Sequence, residues 1–409
     1  MKASHLYNGR MATCIVLGFS SGLPLFIFIY LLPAWMQSAG LSLSSIGAAS
    51  LFMLPYSLKF FWAPFIDRYR LSRLGRRRSW ILVCLLLLIA GFSALGLRSP
   101  EHLPWLLFWG TVCAFGSASM DTAIDALRRE ILSDEELGLG TALHVNAYKL
   151  AGIVPGSLAL ILADHRPWSE VYIFCSLFLL PGLLLILLIP EPQAVHGRPQ
   201  TLREAVYAPL AEFFSRHGYR QALWILAFIT FYKFGDSMAA SLATPFYLDL
   251  GYSRTAIGLI AKQAGLAASI AGGLLGGLWM LRLGISRALW LFGIAQALSL
   301  SGFILLSLHP GGLLTLAAVI AAEAFGVGLG TTALVAFLAQ QTDTRHTATQ
   351  FALLSSLAAL PRSLFNAASG WCAEHWGWTL YFSVCLILTL PGFLLLQRVT
   401  PWPKVAASE

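Results

Sequence analysis

Four carboxylates lie inside long apolar runs of this sequence: Asp121, Asp125, Asp236 and Glu323. An ionised side chain at the centre of a bilayer costs at least ~2.5 kcal/mol, so each of them needs a partner or a polar cavity. Asp121 and Asp125 are four residues apart and share a helix face. Two neighbouring carboxylates repel, which favours a proton on one of them. Alternatively, Arg128 and Arg129 neutralise both. Lys233 and Asp236 are three residues apart. They either neutralise each other or form a switch in which protonating Asp236 frees Lys233 for an anion. Glu323 has no partner close in sequence, although Arg362 and Lys149 could pair with it or bind substrate carboxylates. Proton carriage by the four acids and anion binding by Lys149, Lys233 and Arg362 are therefore the expected chemistry. Tyr148, Asn146, Gln263 and Gln350 could hydrogen-bond a sugar or peptide, or else tie helices together. Lys59 and Lys262 lie nearer the ends of apolar runs and are expected to snorkel.

The elements that hold these groups follow from composition. The 409 residues are 57% hydrophobic and 11% charged, with a mean hydropathy of +0.72. A soluble domain carries about 25% charged residues, so this chain has too few to cover a wet surface. Runs such as 81–96 and 171–190 approach or reach the ~20 residues that cross a bilayer as helix. The ten-residue alternation of a membrane barrel is absent. The expected fold is an all-α polytopic membrane protein. Its twelve spans fall near 11–36, 43–65, 79–97, 103–127, 142–163, 168–190, 222–246, 255–280, 286–307, 312–338, 348–373 and 377–397. The first run is longer than a signal-peptide core and reads as a retained span.

Charge fixes an orientation for that scheme. Of the 27 Lys and Arg, nineteen fall in the two terminal segments and alternate connections. Arg98, Arg166 and Arg254 fall on the other side, and five lie within spans. Basic residues collect on the cytoplasmic side, so both termini are expected there. The net charge of +8 thus reports topology rather than nucleic-acid binding. The six cysteines have no CxxC spacing and read as apolar packing, so no metal or cofactor is implied. The stretch 191–221 separates six spans from six. It divides the chain into 1–190, a cytoplasmic linker at 191–221, and 222–409. Residues 202–214 suit a short amphipathic helix on the inner surface.

The halves echo each other. Ala63, Asp67, Arg68, Gly75, Arg76, Arg77 and Arg78 follow the second span, and Gly277, Arg282, Gly284 and Arg287 follow the eighth. Two six-helix halves joined by a basic loop are the layout of one class of secondary transporters. The loop at 63–78 resembles the GxxxDRxGRR signature of the major facilitator superfamily, with Ala63 in place of the leading glycine. The resemblance implies a gating loop formed by Asp67, Arg68, Gly75, Arg76, Arg77 and Arg282. In it, Asp67 latches onto nearby arginines and helix N-terminal amides. Arg70 and Arg73 read as topology determinants. Within that superfamily the chain resembles the AmpG-type muropeptide permeases. The matching stretches are LGFSSGLPL at 17–25, LKFFWAPFIDRY at 58–69, FGSASMD at 115–121, YKFGD at 232–236, GLGTTA at 328–333 and ATQFALLS at 348–355.

This resemblance implies a monomeric proton symporter of the inner membrane. It would import cell-wall-derived anhydro-muropeptides, with membrane lipid and protons as its other partners. Related permeases that import siderophores remain the alternative, because the chain ends soon after the twelfth span. A drug exporter fits less well, since Gly152-Ile-Val-Pro155-Gly156 only partly matches the antiporter motif. A membrane-embedded enzyme would need a catalytic cluster in a polar loop. The acidic group Asp134, Glu135 and Glu136 lacks an accompanying His or metal spacing. The glycines at 272, 273, 276 and 277, and at 326, 328 and 330, are expected to let helices approach closely.

Overall fold

A computed structural model describes residues 9–41, 49–192, 202–252, 261–343 and 345–400. Among these the regular structure is helical, apart from one isolated bridge between Ser72 and Gly75. A helix satisfies its backbone polar groups internally, as a segment in hydrocarbon must. Eight helical stretches are long and apolar enough to cross a membrane: Gly9–Ser38, Arg76–Leu95, Leu103–Ile131, Leu137–Ala163, Trp168–Leu188, Gln263–Leu308, Leu313–Gln340 and Cys372–Val399. Leu184, Leu188, Leu298 and Leu314 are exposed on these helices, a surface suited to lipid rather than to water.

The Gln263–Leu308 stretch has 46 residues, about 69 Å if straight, more than twice a ~30 Å core. It breaks at Gly284, whose φ of 72° is left-handed. The Thr347–Ile387 helix breaks the same way at Gly377. The expected second span is interrupted, with a short helix at Leu54–Leu58 followed by a 3-10 turn at Lys59–Phe61. The seventh is split into Tyr219–Phe231, Phe234–Ser241 and Ala243–Asp249. Neither forms one long continuous helix, and both carry a charged lysine at the break. The expected linker helix is present at Leu202–His217; residues 193–201 of the linker lie outside the described residues.

The chain forms two compact units. The first comprises Met1–Ser133, Leu143–Leu210 and Thr342–Ser356, so it includes the start of the Thr347–Ile387 helix. The second comprises Asp134–Ala142, Ala211–Gln341 and Leu357–Glu409. The first is built on a core that includes Leu17, Leu88, Phe92, Ile124, Tyr172 and Cys175. The second packs Phe246, Phe303, Tyr381 and Phe382 around stacked and edge-on rings.

Within the second unit, glycines let two long helices touch. A Cβ on Gly272 would collide with the Phe325 carbonyl oxygen, and one on Gly328 with that of Ser269. Backbone cannot move aside as a side chain can. Gly328→Leu is therefore expected to lose roughly 1–3 kcal/mol or more through overpacking. Thermal unfolding in detergent checks this: the variant melts several degrees below the parent protein.

Candidate functional site

The chain gathers its buried charges into three clusters. The first surrounds Asp67, at the end of the short helix Ala63–Arg68 and beyond the apolar stretch Leu51–Phe61. Asp67 is fully buried. Its carboxylate accepts from Arg77 Nη2 at 2.7 Å, the backbone N–H groups of Ala348 and Thr349 at 3.2 and 2.8 Å, and Thr349 Oγ1 at 2.7 Å. Ala348 and Thr349 begin the Thr347–Ile387 helix, where N–H groups lack intrahelical partners and the dipole favours an anion. Arg77, also fully buried, donates from Nε and Nη2 to Glu130 Oε1 at 2.9 and 2.6 Å. Thr347 Oγ1 donates to that same oxygen at 2.6 Å. Arg76 Nη1 donates to the Asp67 carbonyl at 2.9 Å. Gly75, with φ of 117°, starts the Arg76–Leu95 helix. The Glu191 carboxylate caps that start by accepting from the Arg77 and Arg78 amides at 2.8 and 3.1 Å.

The network around Asp67 thus joins Arg76, Arg77 and helix amides. Arg68 instead stacks on the Tyr69 ring, with 5.0 Å to its centroid. Arg282 is exposed in the second unit, beside Trp279, Leu291 and Phe292 at an apolar hollow of about 380 Å3. Burial pushes the Asp67 carboxyl up, but Arg77, Arg76 and the Thr349 hydroxyl more than offset it and hold it below its ordinary range. A depressed carboxyl contributes stability at pH above its unfolded value and loses it as pH falls through the folded value. The stability gap between the parent and Asp67→Asn is therefore expected to be flat from about pH 8 to 5 and to shrink below about pH 4. Paired melting curves across that range check it.

The second cluster also lies in the first unit. Lys59 Nζ is 3.3 Å from Asp121 Oδ2 and 3.8 Å from Asp125 Oδ2. Arg128 Nη2 is 3.0 Å from Asp125 Oδ1, and Ser21 Oγ donates to Asp121. Lys59 does not snorkel as expected, because the interrupted helix turns it inward and leaves it 6% exposed. Asp121 and Asp125 are therefore not a bare repelling pair: two carboxylates face two cations. Tyr56 OH donates to Ser117 Oγ at 2.7 Å nearby. Tyr148 is within electrostatic reach of Asp121, Asp125 and Tyr56, and its ring meets Phe26 edge-on at 5.7 Å. A Cβ on Gly22 would strike the Tyr148 backbone, so a bare backbone at Gly22 sets where this tyrosine stands. Asn146 and Lys149 lie on the same helix, Leu137–Ala151, with Asn146 buried and Lys149 half-buried.

The third cluster lies in the second unit. Lys233 Nζ is 3.1 Å from Asp236 Oδ2 and donates to Thr331 Oγ1 at 3.0 Å. Glu323, half-buried on the Leu313–Gln340 helix, is within electrostatic reach of both Asp236 and Lys233. Lys233 and Asp236 thus form a pair, with Glu323 near enough to feel both charges. Gln350 does not face such a cluster: its Nε2 donates to the Pro209 carbonyl at 2.9 Å and its Oε1 accepts from Asp343 N at 2.6 Å. Its amide secures the linker helix. Gln263 is exposed on the turn Ala261–Gly265, and the side chain of Arg362 lies outside the described residues. The sequence reading missed Glu130, Glu191, Thr347, Thr331 and the part played by Lys59. Only the Thr347-x-Thr349 pair carried a local signal, as hydroxyl residues opening a helix.

Comparison with known proteins places these clusters in context. Residues 14–366 match the family model for the Major Facilitator Superfamily. The chain is 40% identical over 390 residues to the anhydromuropeptide permease of Escherichia coli K12, covering 95% of this chain and 79% of that one. It is 32% identical over 399 residues to a Rickettsia felis protein named for AmpG, covering 95% and 96% of the two chains. Among solved structures, the proton:xylose symporter XylE matches with a TM-score of 0.68 over 95% of this chain and 94% of that one, at 12% identity, a likeness of fold alone. With its apolar helices and buried charge clusters, the chain belongs to the major facilitator superfamily, among the AmpG-type permeases.

Proposed function

We propose that this chain is a secondary active importer of the inner membrane that carries cell-wall-derived anhydro-muropeptides into the cytoplasm by proton symport. Twelve spans in two halves, 1–190 and 222–409, would alternate access around a central cavity, with 191–221 as cytoplasmic linker. The observation that carries the reading is the pair of buried charge clusters in a chain 40% identical to an anhydromuropeptide permease along 95% of its length. The siderophore alternative gains nothing from these relatives.

Muropeptides join amino sugars to short peptides with free carboxylates. Lys149 and Lys233 offer cations to those carboxylates, while Tyr148 and Asn146 offer hydrogen bonds to amides and hydroxyls. The cluster of Lys59, Asp121, Asp125 and Arg128 is internally balanced, which suits a fixed polar wall. Lys233, Asp236 and Glu323 carry one acid more than they have bases, which suits proton carriage. Protonating Asp236 releases Lys233 to the substrate, so proton and anion bind together. A proton crossing with one anionic charge moves no net charge, so the pH gradient drives uptake, at about 1.4 kcal/mol or about tenfold accumulation per pH unit. The Asp67 latch would hold the cytoplasmic side shut until substrate and proton are both aboard.

Membrane vesicles bearing the chain test the substrate. They are expected to take up labelled anhydro-muropeptide, and Lys233→Met is expected to cut that uptake about tenfold or more. Vesicles that accumulate no more label than empty controls would overturn the reading.

A further inference from the structure

In the second unit the helices Tyr219–Phe231 and Leu390–Val399 lie side by side. A Cβ on Gly392 would meet the Phe231 carbonyl oxygen at 3.1 Å, and Gln221 Nε2 donates to the Arg398 carbonyl at 3.2 Å. The start of the first helix therefore sits against the end of the second. There they enclose a hollow of about 450 Å3, lined by His217, Tyr219, Arg220, Gln221, Trp224 and Arg398. That is room enough for a small ligand.

Its chemistry calls for an anion. No acid lines the hollow, and Arg220 and Arg398 make no ion pair among the described residues. Arg216 nearby is spent differently, on Glu212 at 3.0 Å and on the Gln341 carbonyl at 2.6 Å. Gly218, with φ of 74°, turns the chain into Tyr219–Phe231, and no side chain caps that start. The first N–H groups and the positive end of the helix dipole lie at this end. His217 Nε2 is buried without a hydrogen-bond partner.

The two helices also say what kind of anion. Leu390, Leu394 and Arg398 follow at steps of four and share a face, with the leucines 54% and 67% exposed. Arg220, Leu223 and Trp224 repeat the order on the neighbouring helix, with Leu223 44% exposed. Cys372–Val399 is itself long and apolar enough to cross a membrane. Each helix thus sets a cation at its end and apolar side chains one or two turns deeper, the order of a headgroup and its acyl chains. A soluble anion has no use for those leucines. Tyrosine and tryptophan suit the level of the headgroups, and basic pockets between membrane helices hold anionic ones.

We infer that this hollow binds the headgroup of an anionic phospholipid, with its phosphate between Arg220 and Arg398 and its acyl chains along Leu223, Leu390 and Leu394. Guanidinium forks match phosphate oxygens two at a time, which fixes the headgroup in place. This binding does not depend on the transport reading.

Native mass spectrometry of the purified full chain in detergent tests it, with phosphatidylglycerol and phosphatidylcholine titrated separately. The variants are Arg220→Gln, Arg398→Gln and, as a control, Arg287→Gln, which removes an exposed charge of the same unit outside the hollow. All three side chains are exposed, so the variants are expected to melt as the parent does without lipid. The parent is expected to bind phosphatidylglycerol about tenfold or more tightly than phosphatidylcholine. Arg220→Gln and Arg398→Gln are each expected to weaken phosphatidylglycerol about fivefold, and Arg287→Gln to leave it unchanged. Equal binding of the two lipids, or hollow variants that keep the parent's preference, would overturn the inference. So would an equal loss in all three variants, which would mark a response to overall charge. Inorganic phosphate that raises the parent's melting point as much as phosphatidylglycerol does would make this a free-anion site and overturn the lipid assignment.

Discussion

Arg77→Met is expected to destabilise the first unit by about 3–5 kcal/mol, the cost of stripping a buried ion network of its cation. Arg77 holds Asp67 and Glu130 at once, at 2.7 and 2.6 Å, and also donates to Thr347 Oγ1 at 3.0 Å. Its removal leaves the buried Asp67 and the half-buried Glu130 without their shared cation, with Arg76 still 3.3 Å from Glu130. Arg77→Lys keeps the charge but not the planar fork, so it is expected to recover only part of the loss. Adding Asp67→Asn to Arg77→Met removes one stranded charge and should restore part of the stability. Melting curves of the three variants check this order. A melting point for Arg77→Met within a degree of the parent would mean that the network contributes little.

Lys59→Met is the second large effect, also about 3–5 kcal/mol if the buried pair behaves as such pairs do. Lys59 pairs with Asp121, and it shares Asp125 with Arg128. Without it, Asp121 keeps the Ser21 hydroxyl, a neutral donor. Lys59→Met with Asp121→Asn is expected to be more stable than Lys59→Met alone, a non-additivity that a double-mutant cycle measures directly. Additive losses would show that Lys59 and Asp121 do not act as a pair.

Much of this was legible in the residue order, for physical reasons. Long apolar runs are helices because hydrocarbon allows little else, and eight of the stretches meet the length requirement on their own. Asp67 stood out because an acid beside so many arginines at a helix end has few other uses. Gly272 and Gly328 were marked as close-approach positions, and each faces the backbone of a neighbouring helix.

What escaped depends on contacts between distant segments. Glu130 meets Arg77 across 53 residues and Glu191 across 114, and no periodicity reports that. Lys59 was assigned to the interface by its distance from the end of an apolar run, but that distance measures depth only in an unbroken helix. Here a 3-10 turn redirects it. Gln350 looked like a ligand because amides bind sugars, yet its amide serves two backbone groups.

Purified protein in proteoliposomes with a pH dye inside addresses the central claim, that substrate and proton cross together. Anhydro-muropeptide added outside, with no gradient imposed, is expected to acidify the lumen as label enters, and Asp236→Asn with Glu323→Gln to abolish the acidification. Uptake of label by the parent protein without any change in lumenal pH would contradict proton symport.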